Sequence, residues 1–106
     1  MGLLDMIKRK GFNEKLEECR NDKLAVLIDV RTPEEYEEGH VPGSINIPLQ
    51  QIEKTKDVVQ SKCRSIYVYC RSGARSRQAA ADLRQMGYAN VVNLGGIIDY
   101  KGKVVR

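Results

Sequence analysis

One cysteine stands among three arginines in the run Cys70-Arg71-Ser72-Gly73-Ala74-Arg75-Ser76-Arg77. The preceding Tyr67-Val68-Tyr69 is apolar and strand-like, and an alanine-rich helical stretch begins immediately after the loop. A strand, a tight loop and a helix in that order aim backbone N–H groups and the positive end of a helix at a single sulfur. Such surroundings lower a thiol's pKa and make it a nucleophile. Arg71, Arg75 and Arg77 add cationic charge beside it. A cysteine that only fills a core needs none of this, so Cys70 is read as chemical.

The elements that must position this loop follow from periodicity and punctuation. Residues 12–21 place Phe12, Leu16 and Cys19 on one helical face, with Glu and Arg opposite. Leu24 to Ile28 is an unbroken apolar run, as expected of a strand buried on both faces of a parallel sheet. It leads into Asp29-Val30-Arg31. Thr32-Pro33-Glu34-Glu35 then predicts a helix start, with Thr32 as N-cap and Pro33 first inside. A turn-rich stretch, Gly39 to Ser44, precedes a short strand at 45–47, and 48–60 reads as one or two helical pieces. A strand over 65–69, a helix over 74–86 with Ala79, Ala80, Leu83 and Met86 as its apolar stripe, and a short strand over 91–94 complete the pattern. Alternating strands and helices predict an α/β fold with an open, mainly parallel sheet. Functional groups of such sheets gather at the carboxyl ends of the strands, where Asp29, Arg31 and Cys70 all fall.

Length and composition set the outer limits. The 106 residues suit a single domain overall, with 1–23 as an N-terminal helical segment of the same domain and 24–106 as its main body. Hydrophobic content of 42% beside 30% charged residues belongs to a soluble globular chain. No apolar run is long enough to span a bilayer. Met1 to Ile7 lacks a signal-peptide layout, and Met6 breaks the myristoylation pattern that Gly2 would begin. The expected location is cytoplasmic, with no membrane partner. The charge of +4 is spread along the chain, with six aromatics and no nucleic-acid-binding motif, so no nucleic-acid partner is expected. A local positive field for a small anionic substrate uses the charge more economically. Three cysteines without a C-x-x-C pair argue against a disulfide framework and a zinc site, so no metal is expected.

Other reactive side chains have simpler explanations. Cys63 lies beyond the far end of the 65–69 strand, about 20 Å from Cys70 if extended, too far for a resolving thiol. Cys19 sits on an apolar helical face and reads as core. His40 falls in a Pro/Gly-rich turn, and a thiolate cradled by N–H groups needs no base. Glu34, Glu35, Glu37 and Glu38 read as a solvated helix face, favourable near its N-terminus. Asp29 and Arg31 are supporting candidates. Asp29 either fixes Arg75 or the loop backbone, or merely ends its strand.

Taken together, the chain resembles the single-domain rhodaneses, a family of sulfurtransferases. Leu27-Ile28-Asp29-Val30-Arg31-Thr32-Pro33-Glu34-Glu35-Tyr36 is similar to the first family motif, and Gly39-His40-Val41-Pro42-Gly43-Ser44-Ile45-Asn46-Ile47-Pro48 follows at the expected distance. Tyr69 to Ser76 resembles the active-site loop and Gly95-Gly96-Ile97 the closing motif, so the likeness runs from 24 to about 102. Tyr100 stands where many members have Trp. The resemblance implies a rhodanese-like sheet with helices on both faces. It also implies a Cys70 thiolate that takes the outer sulfur from thiosulfate or a similar small anionic donor and passes it to a thiophilic acceptor: cyanide, a thiol or a protein. Residues Arg71, Ser72, Gly73, Ala74 and Arg75 would cradle and bind, and no cofactor is required.

Two other readings use the same scaffold. Cysteine-dependent phosphatases and arsenate reductases need C-x5-R, a longer loop ending in a bidentate Arg. Here Arg75 closes C-x4-R and Ser76 occupies the position an arginine would need. A non-catalytic rhodanese-like interaction module generally lacks the cysteine that this chain keeps.

Overall fold

A computed structural model describes residues 10–106; the chain start, on which the leader and lipidation expectations rest, lies outside the described residues. Four strands form one sheet in the order β2-β1-β3-β4, every neighbouring pair parallel. In chain order the elements are α1 (Phe12–Asn21), β1 (Val26–Asp29), α2 (Pro33–Glu38), β2 (Ile45–Asn46), a 3-10 segment (Leu49–Lys54), α3 (Thr55–Val58), β3 (Ser65–Cys70), α4 (Ala74–Gln85), β4 (Asn90–Gly96) and a 3-10 turn (Ile97–Asp99). No helix of the described residues is long and apolar enough to cross a membrane.

Strand alternation divides the interior into two cores. Ile28, Val30, Ile66, Val68 and Cys70 face α4, where they bury Ala79, Ala80 and Leu83 together with Ile52, Val59 and Tyr88. Leu27, Tyr67, Tyr69 and Leu94 face the other way, onto Phe12, Leu16 and Cys19 of α1. Helices therefore cover both faces of the sheet, which is why Val26 to Ile28 of β1 and Ile66 to Cys70 of β3 run without polar alternation. One residue of offset places Tyr69 and Cys70 on opposite sides.

Some boundaries differ from those the sequence predicts. β1 begins at Val26, because Leu24 belongs to a turn in which its N–H donates to the Asp22 carboxylate at 3.0 Å, and its side chain is exposed. β4 runs on through Gly95-Gly96, past the expected end at 94. Val68 pairs with Asn93 but Tyr69 pairs with Gly95, so Leu94 is an extra residue that bulges the strand. The bulge brings Gly96 opposite Cys70.

Candidate active site

Cys70 is the last residue of β3, and its side chain is 1% exposed. Three residues, Arg71 to Gly73, separate it from α4. The turn between them depends on Gly73, which caps the helix at φ +110°, a left-handed conformation that side-chain-bearing residues rarely adopt. An N-cap residue usually offers a side-chain oxygen to the free N–H groups of the first turn. Gly73 has none, and the sulfur takes over that part. Sγ accepts from Gly73 N–H at 3.0 Å and from Ser76 N–H at 3.3 Å. The Ser76 hydroxyl lies 3.4 Å from Sγ and is also within reach of the Gly73 and Gly95 carbonyls.

These contacts set the direction in which the thiol's pKa moves. Burial alone pushes Cys70 upward and is the largest single influence. Against it act the Ser76 hydroxyl, then the N–H groups of Ser76, Gly73 and Ser72, and together they leave the thiol below its ordinary value. The lowering expected from the sequence is present, but its principal sources are fixed donors at the sulfur rather than the arginines. The cradle also differs from the expected Arg71–Arg75 set: Ser76, one residue beyond it, contributes twice. The N–H groups of Arg71, Ala74 and Arg75 are not among the bonds to Sγ. Ser76 was recoverable in principle, since the third residue of a helix presents a free N–H to whatever occupies the cap.

The loop is held from below by β4. A Cβ at Gly96 would collide with the Arg71 carbonyl and approach Ser72 Cα to 2.7 Å, so backbone lies directly on backbone here. The closing pair of glycines is thus part of the strand that seats the loop. Ile98 N–H adds a bond to the Arg71 carbonyl at 3.4 Å.

The arginines separate into two kinds. Arg71 and Arg77 are exposed, with no ion-pair partner among the described residues. Arg75 does not turn into the loop; both its terminal nitrogens are bonded to Glu35 at the start of α2, Nη1–Oε1 at 2.8 Å and Nη2–Oε2 at 3.0 Å. Glu35 is therefore no solvated helix residue. Its carboxylate also accepts from Thr32 N–H at 3.0 Å, closing a capping box in which Thr32 Oγ1 receives Glu35 N–H at 3.2 Å. The Arg75 bonds, helped by those from Thr32 and opposed by burial, hold Glu35 down at about 2.

Asp29 and Arg31 pair with each other rather than with Arg75 or the loop. Arg31 Nη2 lies 2.7 Å from Asp29 Oδ2, both side chains are buried, and Nη2 also donates to the Gly39 carbonyl at 2.7 Å. This pair sits beside Tyr69 on the face opposite Cys70: the guanidinium carbon is 5.7 Å from the ring centre. The Tyr69 hydroxyl accepts from Val41 N–H at 3.0 Å and bonds Ser44 Oγ at 3.0 Å. His40 stacks on Tyr36 at 3.7 Å between ring centres, and its Nδ1 bonds the Tyr36 carbonyl. Cys63 is exposed and Cys19 buried, where loss of solvent pushes its thiol up to about 11. Among the described residues no group of three or more His, Cys, Asp and Glu is placed to hold a metal ion. Among the described residues, the loop gathers one buried sulfur, the Gly73 and Ser76 donors bonded to it, and two exposed arginines without an ion-pair partner.

Comparisons with known proteins agree on the ancestry of this arrangement. Residues 12–103 match the family described as Rhodanese-like domain. The thiosulfate sulfurtransferase PspE of Escherichia coli (strain K12) is 47% identical over 73 residues, covering 68% of this chain and 70% of its own length. A protein named sulfurtransferase from Allochromatium vinosum is 42% identical over 97 residues, covering 91% of this chain and 87% of its own. A solved structure of a rhodanese with anions from E. coli superposes with a TM-score of 0.73 at 42% identity, covering 77% of this chain and 98% of that one.

Proposed function

The chain belongs to the rhodanese-like family, and on that premise we propose that it is a sulfurtransferase working through a persulfide on Cys70. Relatives named sulfurtransferases support the general activity. The observation that carries the finer reading is the convergence of the Gly73 N–H, the Ser76 N–H and the Ser76 hydroxyl on one buried sulfur. Donors fixed in advance stabilise an anion without reorganising during the reaction.

In the first half-reaction the Cys70 thiolate attacks the outer sulfur of thiosulfate or a similar donor. The new S–S bond forms as the S–SO3 bond breaks, and sulfite departs with the electron pair. The product is an anionic Cys70 persulfide. In the second, cyanide, a thiol or a protein nucleophile attacks the terminal sulfur, and the electron pair returns to Cys70. A small anionic donor suits the exposed Arg71 and Arg77, and the related E. coli rhodanese was itself solved with anions. Phosphatase chemistry has less support, because the residue six past the nucleophile is Ser76 at the sulfur and Arg75 is drawn away to Glu35.

The test is isolation of the intermediate. Incubation with thiosulfate and removal of small molecules should leave the protein heavier by one sulfur atom, on the peptide containing Cys70. Cyanide should discharge it as thiocyanate, and Cys70→Ser should never acquire it. Turnover of thiosulfate with no adduct under rapid quenching would refute the persulfide route. A phosphorylated Cys70 formed from a phosphoester would instead favour the phosphatase reading.

A further inference from the structure

The positive field beside Cys70 is smaller than three neighbouring arginines imply, and Glu35 is the cause. Its carboxylate takes both terminal nitrogens of Arg75, one residue before the Ser76 amide that bonds the sulfur. This acid is built into the fold rather than loosely surface-borne. Thr32 N–H at 3.0 Å and Thr32 Oγ1 at 3.1 Å fix one of its oxygens, and Thr32 directly follows Arg31, itself clamped by Asp29. Glu35 holds its charge at any ordinary pH, with its group held down at about 2. Arg75 responds first to Glu35, and the charge of Cys70 also acts on it, so the carboxylate, the guanidinium and the thiolate share one field. Among the described residues, the arginines of this run without an ion-pair partner are Arg71 and Arg77, both exposed and screened by salt.

We propose that Glu35 is a specificity-determining residue: by neutralising Arg75 beside the reactive sulfur, it sets the charge of the sulfur donor the site prefers, weakening the hold on small dianions relative to donors of lower charge. The donor assignment rests on the sulfurtransferase reading, whereas the electrostatic effect can be measured without it. The arrangement also supplies a clean substitution. Gln at the third helical position still completes a capping box and still accepts a bond from Arg75, so Glu35→Gln changes charge with little change in shape. Glu35→Asp keeps the charge and shortens the reach.

The experiment compares alkylation of Cys70 by iodoacetate, an anion, and by iodoacetamide, which is neutral, read on the Cys70 peptide of the full chain at low ionic strength. Both reagents attack the same thiolate, so their rate ratio cancels its pKa and reports the local field. Glu35→Gln should raise the iodoacetate-to-iodoacetamide ratio about threefold, the effect of one unit charge several ångströms away under mostly aqueous screening. The KM for thiosulfate, a dianion, should fall by up to about tenfold on the same grounds. Both effects should shrink with added salt. Glu35→Asp should leave the ratio at the wild-type value even if it melts earlier. An unchanged ratio in Glu35→Gln would reduce Glu35 to a structural tie, and a lowered one would show that it aims Arg75 at the anion; either overturns the proposal. If thiosulfate leaves no sulfur on Cys70 while the ratio shifts as stated, the donor assignment fails and the charge effect stands.

Discussion

Ser76 meets Cys70 twice, through its backbone N–H at 3.3 Å and its hydroxyl at 3.4 Å, and the residue is fully buried. The sulfur thus completes the first turn of α4 while that turn stabilises the sulfur's charge. Because hydrogen bonds to a charged sulfur favour its ionised form, loss of the hydroxyl should move the thiol's pKa upward.

Ser76→Ala should accordingly raise the midpoint of Cys70 alkylation against pH, while the amide donors hold part of the lowering. Rate against pH with iodoacetamide, read on the Cys70 peptide, measures it. No movement of the midpoint would mean the backbone amides alone stabilise the thiolate.

Two cysteines should give the pH dependence of stability opposite signs. Cys70 is depressed in the folded state, so from its folded value up to the unfolded thiol's value of about 8.5 the unfolded chain binds more protons. Stability from this group rises with pH across that window and is lost as pH falls through it. Cys19 is raised to about 11, so between the unfolded value and that figure the folded chain holds the extra proton, and stability falls with pH. Urea denaturation of the parent, Cys70→Ser and Cys19→Ser across pH 6 to 11 should show the first slope vanish in one variant and the second in the other. Slopes unchanged by either substitution would contradict both assignments.

Gly96→Ala should damage the loop and the fold together. The new methyl group meets the Arg71 carbonyl and the Ser72 Cα, both backbone atoms that cannot rotate aside. Overpacking of this kind costs about 1–3 kcal/mol, and the displaced loop should also lose its low thiol midpoint. Thermal melting with alkylation on the same sample tests both parts. A stability loss with an unaltered midpoint would show that the loop geometry does not depend on β4.

The strand–loop–helix unit was legible in the sequence because it is local. Apolar β3, Gly73 and the alanine stripe of α4 are consecutive, and each obeys a short-range rule. Thr32 and Pro33 likewise announced α2 and cap it as read. What escaped depends on distant partners. Glu35 looks like one more acid among four until the fold brings Arg75, at the start of α4, to it across 40 residues. Asp29 stands at a strand end beside the loop in sequence terms, yet a one-residue offset decides which face of the sheet it joins. The extension of β4 through Gly95-Gly96 was hidden for a similar reason: the bulge at Leu94 has no propensity signature, and only pairing with Tyr69 and Cys70 makes the two glycines strand residues.

Asp29 and Arg31 provide the last prediction, since the structure places them in support of the sheet rather than of the sulfur. The pair is buried beside Tyr69, and Arg31 also satisfies the Gly39 carbonyl, joining the end of β1 to the turn before β2. Removing one partner of a buried ion pair leaves the other charge without compensation and costs about 3–5 kcal/mol. Arg31→Leu should therefore lower the urea midpoint strongly. Cys70 lies on the other face with its own donors intact, so wherever the variant remains folded its alkylation midpoint should match the parent's. Asp29→Asn combined with Arg31→Leu should recover part of the loss, because no isolated charge then remains in the core. A shifted Cys70 midpoint in the folded variant would show that this pair reaches the sulfur, and an equally unstable double variant would show that the cost lies in packing rather than charge.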